Sequence, residues 1–441
     1  MSILLDILGP RKDFEGGLYL PDFKSVSAKR AIQKLPVTAA LHVPLCFRPD
    51  LPTTAAVAVG DRVLRGQRLA IPQTSDGIPS YAPTSGRIDA FEPVETVADG
   101  ALPGVVLLPD GRDEAAPPDP TMHHESFLGR LMDRAVVCVN PRQPAHVVLQ
   151  RAIAAGVTDL IINGMETEPY LTADLRTLVE EPGLLIDTVC EIADAVGVVN
   201  VYLAVPYRHR RVVKRLEAEA AGRYVEIAAL SDKYPQCHPT MLIKTLLDRE
   251  VPPGGGALDT ETLVLPLSTV RAMGHALWHS EPMTHVLMTV AGDAVDHAGT
   301  YRVAIGTPLR ELAERVGQYR PVKSAVWGGP FTGLAVTSDQ AVVTADTIAL
   351  LLFAEAEEAP AAPCVHCGWC VEDCPVGLSP TSLIDPDYAR RSTTYAAEVN
   401  ACIDCGLCTY VCPSKLPLAE TIRAERLRLK PPSGNGKGSA R

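Results

Sequence analysis

The chain has 441 residues, 46% of them hydrophobic and 21% charged, and a net charge of −11. That length holds about three domains of roughly 100–200 residues, and the acidic balance excludes a general nucleic-acid binder, which needs a basic footprint. No apolar run reaches the ~18 residues of a spanning helix, and residues 1–8 lack a basic region and carry Asp6, so a secretory signal is not expected there.

Residues 1–118 are rich in Pro, Gly and short β-branched runs. The stretch 57–70 reads as strand, turn, strand, and 81–88 as a turn entering a strand, so an all-β unit is expected. A polar, proline-rich linker is expected over 110–120. Helices are expected over 145–155, 184–196 and 208–221, and strands over 159–163, 198–205 and 224–229. Strands alternating with helices imply a parallel α/β layer. Residues 252–256 (PPGGG) close that unit. A small α+β unit follows, with helices over 268–279 and 308–316 and strands over 284–291 and 300–304. A further helix is expected over 344–358, a linker over 359–363, and a disordered Gly/Ser/Pro-rich tail over 431–441.

Cysteine spacing is the sharpest signal. Of 12 cysteines, Cys46, Cys138, Cys190 and Cys237 are scattered and read as reduced thiols. The other eight form two runs: Cys364-x2-Cys367-x2-Cys370-x3-Cys374-Pro375 and Cys402-x2-Cys405-x2-Cys408-x3-Cys412-Pro413. Each matches the C-x2-C-x2-C-x3-C-P run of bacterial two-cluster ferredoxins, in which the fourth cysteine ligates the other cluster. On that likeness Cys364, Cys367, Cys370 and Cys412 hold one 4Fe–4S cluster, and Cys402, Cys405, Cys408 and Cys374 the other. The fourth cysteine is expected to open a helix pointing away from its own loop. Gly368 and Gly406 fall where backbone must pass close to inorganic sulfide. Paired zinc sites would also use C-x2-C pairs, but have no need of two C-x3-C-P endings.

The wider order of motifs resembles the RnfC subunit of Rnf ion-translocating electron-transport complexes over residues ~10–425. The opening Phe14-Glu-Gly-Gly-Leu-Tyr-Leu-Pro21 with Lys24, the hairpins 59–67 and 82–86, the run Asn163-Gly-Met-Glu-Thr-Glu-Pro-Tyr-Leu-Thr-Ala-Asp174, the segments Lys233-Tyr-Pro-Gln236 and 249–254, and Gly306-Thr-Pro308 carry it. The resemblance implies a multidomain α/β and α+β chain. Its parts are a β barrel-sandwich hybrid (1–118), an α/β domain like the FMN/NADH-binding domain of the complex I flavin subunit (119–256), a β-grasp soluble-ligand-binding (SLBB) domain (257–340) and a two-cluster ferredoxin-like helical domain (341–430). It also implies FMN accepting hydride from NADH, near Glu166 and Glu168. Against this, the place of the family's glycine-rich flavin loop, residues 134–144 (RAVVCVNPRQP), contains no glycine. Backbone that wraps phosphate and an isoalloxazine ring needs that steric freedom. FMN and NADH are therefore doubtful, and Glu166 and Glu168 stand as remnants of that site or as a structural strand-end turn. Between Gly66 and Gly86 there is no lysine to carry a swinging arm. His123-His124 and the i, i+4 pair His275/His279 lack a third ligand in sequence, and Arg423, Arg426, Arg428 and Lys430 read as a solvated helix end.

The expected function is one-electron relay through two 4Fe–4S clusters in an Rnf-like membrane complex, without NADH oxidation of its own. The expected partners are the other complex subunits and a redox protein donor or acceptor, with no nucleic acid and no transmembrane span. The expected location is cytoplasmic, peripheral to the inner face of the cell membrane. The alternatives are an NADH:acceptor oxidoreductase using FMN, a soluble cobalamin-reductase-like protein, and a docking module whose clusters are its sole chemistry.

Overall fold

The structure, a computed structural model, describes residues 13–117, 126–355 and 360–429. The expected disordered tail, His123, His124 and Lys430 lie outside the described residues.

Two small antiparallel sheets form the first unit. One runs in the order Leu41–Pro44, Gly100–Pro109, Gly86–Thr96, Arg62–Val63, the other Thr53–Ala55, Arg68–Pro72, Ser80–Tyr81. Alternation along the strands turns Ile88, Leu107, Val105, Leu41, Val63 and Leu69 inward, where all are fully or almost fully buried. This is a β-sandwich, as the turn-rich sequence implied.

Four parallel strands make the α/β unit, in the order Val225–Leu230, Asn200–Pro206, Asp159–Asn163, Thr262–Pro266. The central Asp159–Asn163 strand is covered on both faces, which explains its unbroken apolar run Leu160-Ile161-Ile162. Helices Ala145–Ala155, Pro182–Val196 and Arg210–Glu219 agree with the sequence reading to within two residues.

The third sheet has six strands, in the order Gln33–Lys34, Gly299–Ala304, His285–Ala291, Ala349–Phe353, Ser324–Trp327, Leu334–Ala335. Three expectations change here. First, Thr262–Pro266 and the Leu267–Trp278 helix belong to the α/β unit, not beyond a boundary at 256, because Leu263 and Leu265 register beside Leu160 and Ile162. Second, the helix expected over 344–358 contains the strand Ala349–Phe353, buried between two neighbours. A short apolar run does not distinguish buried strand from buried helix. Third, Gln33–Lys34, expected in the first unit, closes the edge of this sheet by pairing parallel with Tyr301 and Arg302.

Short helices build the cysteine unit: Trp369–Glu372, Pro380–Leu383, Pro386–Arg391, Tyr395–Ala401, Leu407–Tyr410 and Leu418–Leu429. Its own apolar core is small, centred on Leu383, Tyr395, Val399 and Ile422. Among the described residues no helix is long and apolar enough to cross a membrane.

Candidate metal centre and adjoining cavity

The two cysteine runs fold into near-identical loops. In each, the residue two after the first cysteine has a left-handed backbone (His366 φ 56°, Asp404 φ 55°), as does the glycine after the second (Gly368 φ 84°, Gly406 φ 77°). Those glycines serve as the N-caps of four-residue helices that carry the third cysteines, Cys370 and Cys408. The fourth cysteines close the turn after those helices rather than opening a helix, which corrects the expectation.

The turn carries each fourth cysteine across to the opposite loop. Cys364, Cys367, Cys370 and Cys412 line one cavity of about 140 Å³, with His366 and Thr381 on its wall. The N–H of His366 donates to Cys364 Sγ at 3.4 Å. In the other set, burial pushes the thiols of Cys405 and Cys408 up to about 12 and that of Cys402 up to about 11, and the nearness of Cys374 adds to each rise. Among the described residues, no three His, Cys, Asp or Glu side chains gather tightly enough for a single metal ion. Thiols that hold the corners of a cubane stand farther apart than those around one zinc, since each binds a different iron.

A second cavity, of about 220 Å³, opens beside the Cys405 loop. Its lining includes Glu166 and Glu168 from the loop after strand Asp159–Asn163, Asp174 from the first turn of the helix that follows, Tyr234 and Cys237 from the loop after Val225–Leu230, and Cys405 itself. Such a place, beyond the carboxyl ends of parallel strands, is where open α/β sheets bind ligands. The sequence picked out Glu166 and Glu168, and both are here with structural partners. Glu168 accepts from the N–H of Phe331 (2.9 Å), the N–H of Thr332 (3.4 Å) and the Thr332 hydroxyl. Glu166 accepts from the N–H groups of Asp174 and Leu175 at the start of helix Ala173–Glu180. Burial raises the carboxyls of Glu166, Glu168 and Asp174, and Glu166 adds to the rise at Asp174. Buried Lys24, whose own ammonium is lowered by burial, donates to the Glu166 carbonyl and opposes the rise at Glu166.

At the place of a glycine-rich loop stands a hairpin, Val137–Val139 with Arg142–Pro144. Cys138 is fully buried and its thiol donates to the Asn140 carbonyl at 3.2 Å. Val139 and Asn140 project onto the cavity wall. Behind them, helix Ala145–Ala155 is preceded by Pro144 as its cap residue, which has no N–H, and the Ala145 N–H is taken by the Val136 carbonyl at 2.8 Å. A phosphate at that helix start would find its first donor occupied and no glycine cradle. Arg142 is tied to Asp99 of the sandwich and Asp346 of the third unit. This surround does not fit FMN bound through such a loop.

Several contacts were not legible in the sequence. The Tyr234 hydroxyl donates to the Cys405 carbonyl at 2.7 Å, and Arg426, expected to be solvated, donates to the Cys402 carbonyl at 2.7 Å and pairs with Asp404. Gly17 N–H donates to the Asp373 carbonyl at 3.0 Å, and Leu18 and Tyr234 exchange backbone bonds. The Phe14–Lys24 and Lys233–Gln236 motifs were the available signal, without a role attached. His275 and His279 do lie ring to ring at 5.3 Å, and His275 Nε2 finds Glu181 at 3.3 Å.

Comparison with known proteins agrees with these parts. Residues 12–112 match the RnfC barrel sandwich hybrid domain family, 142–275 the Nuo51 FMN-binding domain family, and 363–416 the 4Fe-4S dicluster domain family. The chain is 27% identical over 383 residues to the C subunit of a proton-translocating ferredoxin:NAD(+) oxidoreductase complex from Clostridium ljungdahlii, covering 84% of each. It is 29% identical to the C subunit of an ion-translocating oxidoreductase complex from Rhodobacter capsulatus, covering 83% of this chain and 73% of that one. To the corresponding protein of Cronobacter sakazakii it is 30% identical over 84% of its own length, and spans about half of that longer protein (49%). The chain is thus RnfC-like, a relative of the C subunits of ion-translocating oxidoreductase complexes that carries a barrel-sandwich domain, a flavin-subunit-like α/β domain and a 4Fe–4S dicluster domain.

Proposed function

We propose that this protein relays single electrons through two 4Fe–4S clusters as a peripheral subunit of an Rnf-like membrane complex, on the inner face of the membrane, without oxidising NADH itself. The observation that carries the reading is the crossing of the fourth cysteines. It supports Cys364, Cys367, Cys370 and Cys412 as one ligand set and Cys402, Cys405, Cys408 and Cys374 as the other. When bound, the clusters supply one-electron uptake and release over a short separation. The chain contributes thiolate ligands, left-handed glycines that let backbone approach, and a half-buried setting for the second set. The exposed flank of the first loop, with Cys367 and a half-exposed Trp369 (51%), suits electron exchange with a partner protein. The β-grasp reading of the third unit, residues 257–340 in the sequence, fits its mixed sheet with strands out to Phe353 and one packed helix, Leu309–Arg315.

The glycine-free hairpin supports loss of the flavin site, and the persistence of the cavity with Glu166 and Glu168 favours a second reading, NADH entry through FMN on an altered loop. An anaerobic titration of the reconstituted protein with excess FMN, followed by cluster EPR, separates them. Dithionite is expected to reduce both clusters and NADH neither. Reduction by NADH would overturn the first reading and establish the second.

A further inference from the structure

The two cysteine sets differ in what surrounds them. Around Cys364 and Cys367 the loop is open to solvent. Around Cys402 and Cys405 two side chains from outside the loop reach in, and each donates to the backbone carbonyl of a ligand cysteine. Tyr234 comes from the α/β unit and is almost fully buried (1% exposed), with its ring packed on Phe331 at 4.7 Å. Arg426 comes from the final helix, Leu418–Leu429, and shares its charge with Asp404. Both bonds are 2.7 Å long. Both bonds go to backbone carbonyls, so neither residue acts as a ligand.

We propose that Tyr234 and Arg426 are positioning residues that set the reduction potential of the second cluster, the one assigned to Cys374, Cys402, Cys405 and Cys408. The inference rests on the two-cluster reading above. Its physical basis is the fate of one added electron. Reduction adds a negative charge to the site and breaks no bond. In a half-buried setting, where water screens only in part, that charge is stabilised by whatever dipoles and cations are already aimed at it. The Tyr234 O–H and the Arg426 guanidinium both present their positive ends to the ligand loop and cannot reorient, since one ring is packed and the other side chain is held by two partners. Hydrogen bonding and local charge around the ligands are among the levers by which a protein tunes such a potential. Both residues therefore favour the reduced state, and removing either lowers the potential.

The experiment uses the full chain, reconstituted anaerobically with iron and sulfide, and titrated with redox mediators while EPR resolves the two clusters. Tyr234→Phe keeps the ring and deletes the hydroxyl. Arg426→Gln deletes the charge, and Arg426→Lys restores it. Each of the first two is expected to weaken electron affinity at one and the same cluster roughly threefold to tenfold, about 30–60 mV for one electron. The other cluster's potential should stay in place, and Arg426→Lys should return most of the shift. A merely structural role would change stability or cluster loading and leave the potentials alone. The proposal is overturned if either variant loads both clusters with unchanged potentials, or if the two variants move different clusters. Wild-type protein that takes up no second cluster removes the relay reading and this inference together.

Discussion

Gly16 and Gly17 occupy the seam between the α/β unit and the cysteine unit, both with left-handed backbones (φ 68° and 71°). A Cβ on Gly16 would stand 2.7 Å from the Cys374 carbonyl oxygen, and one on Gly17 2.6 Å from that of Tyr234. The pair thus lies flat between a cluster cysteine and the tyrosine that reaches the other loop. Gly17→Ala combines a left-handed alanine with that clash, so a destabilisation of about 2–3 kcal/mol is expected. Thermal unfolding of the cluster-loaded protein checks it, and an unchanged midpoint would show the seam to be loose. The F-x-G-G motif was visible in the sequence, but its reason was not, because both contacts are made by residues more than two hundred positions away. Glu168 makes the same point. The sequence left it open between a remnant of a flavin site and a structural turn, and the fold has it pinning the Phe331–Thr332 backbone.

Among the elements, helices Ala173–Glu180, Pro182–Val196 and Leu267–Trp278 share an apolar core, and one carboxylate, Glu181, at the junction of the first two, ties them to the third. Burial would raise Glu181, but His275 and Arg271 overcome that and hold it at about 2. A carboxyl with a folded pKa below its unfolded value, about 4.3, contributes stability that is complete above about pH 4.5. That contribution is lost as pH falls toward 2. The contribution is roughly 1–2 kcal/mol after allowing for its partial exposure. Stability measured against pH should fall over that window in the wild type and more shallowly in Glu181→Gln. Equal slopes would mean that the three helices meet through apolar contact only. The i, i+4 spacing of His275 and His279 was readable, yet the acidic partner of His275, Glu181, sits at the junction of two other helices, and no period within one helix reveals it. The same limit explains the strand Ala349–Phe353, where five apolar residues carried no sign of which neighbours would cover them.

For the whole molecule, Arg142 is one tie among three units. It reaches Asp99 in the sandwich and Asp346 in the third unit from a hairpin of the α/β unit, and its own carbonyl accepts from Arg48 at 2.8 Å. Asp346 is only 3% exposed, so Arg142→Ala leaves a buried carboxylate without its cation. The expected loss is about 3 kcal/mol, read as a lower unfolding midpoint, and Asp346→Asn in the same background should recover part of it. If Arg142→Ala is neutral, the hairpin is not what joins the units.

What this sequence determined unaided is the chemistry that depends on short spacing: two runs of four cysteines, the glycines within them, and the missing glycines of a flavin loop. It also determined the layers whose period is local, the parallel α/β helices and strands and the turn-rich sandwich. Tertiary structure alone decided that Gln33–Lys34 and Thr262–Pro266 join other sheets than their neighbours in the chain, and that Tyr234 and Arg426 end on the carbonyls of Cys405 and Cys402. Ligand spacing is set within a dozen residues and is written in the chain. A hydrogen bond between residues 171 positions apart, as between Tyr234 and Cys405, exists only once packing has brought two units together.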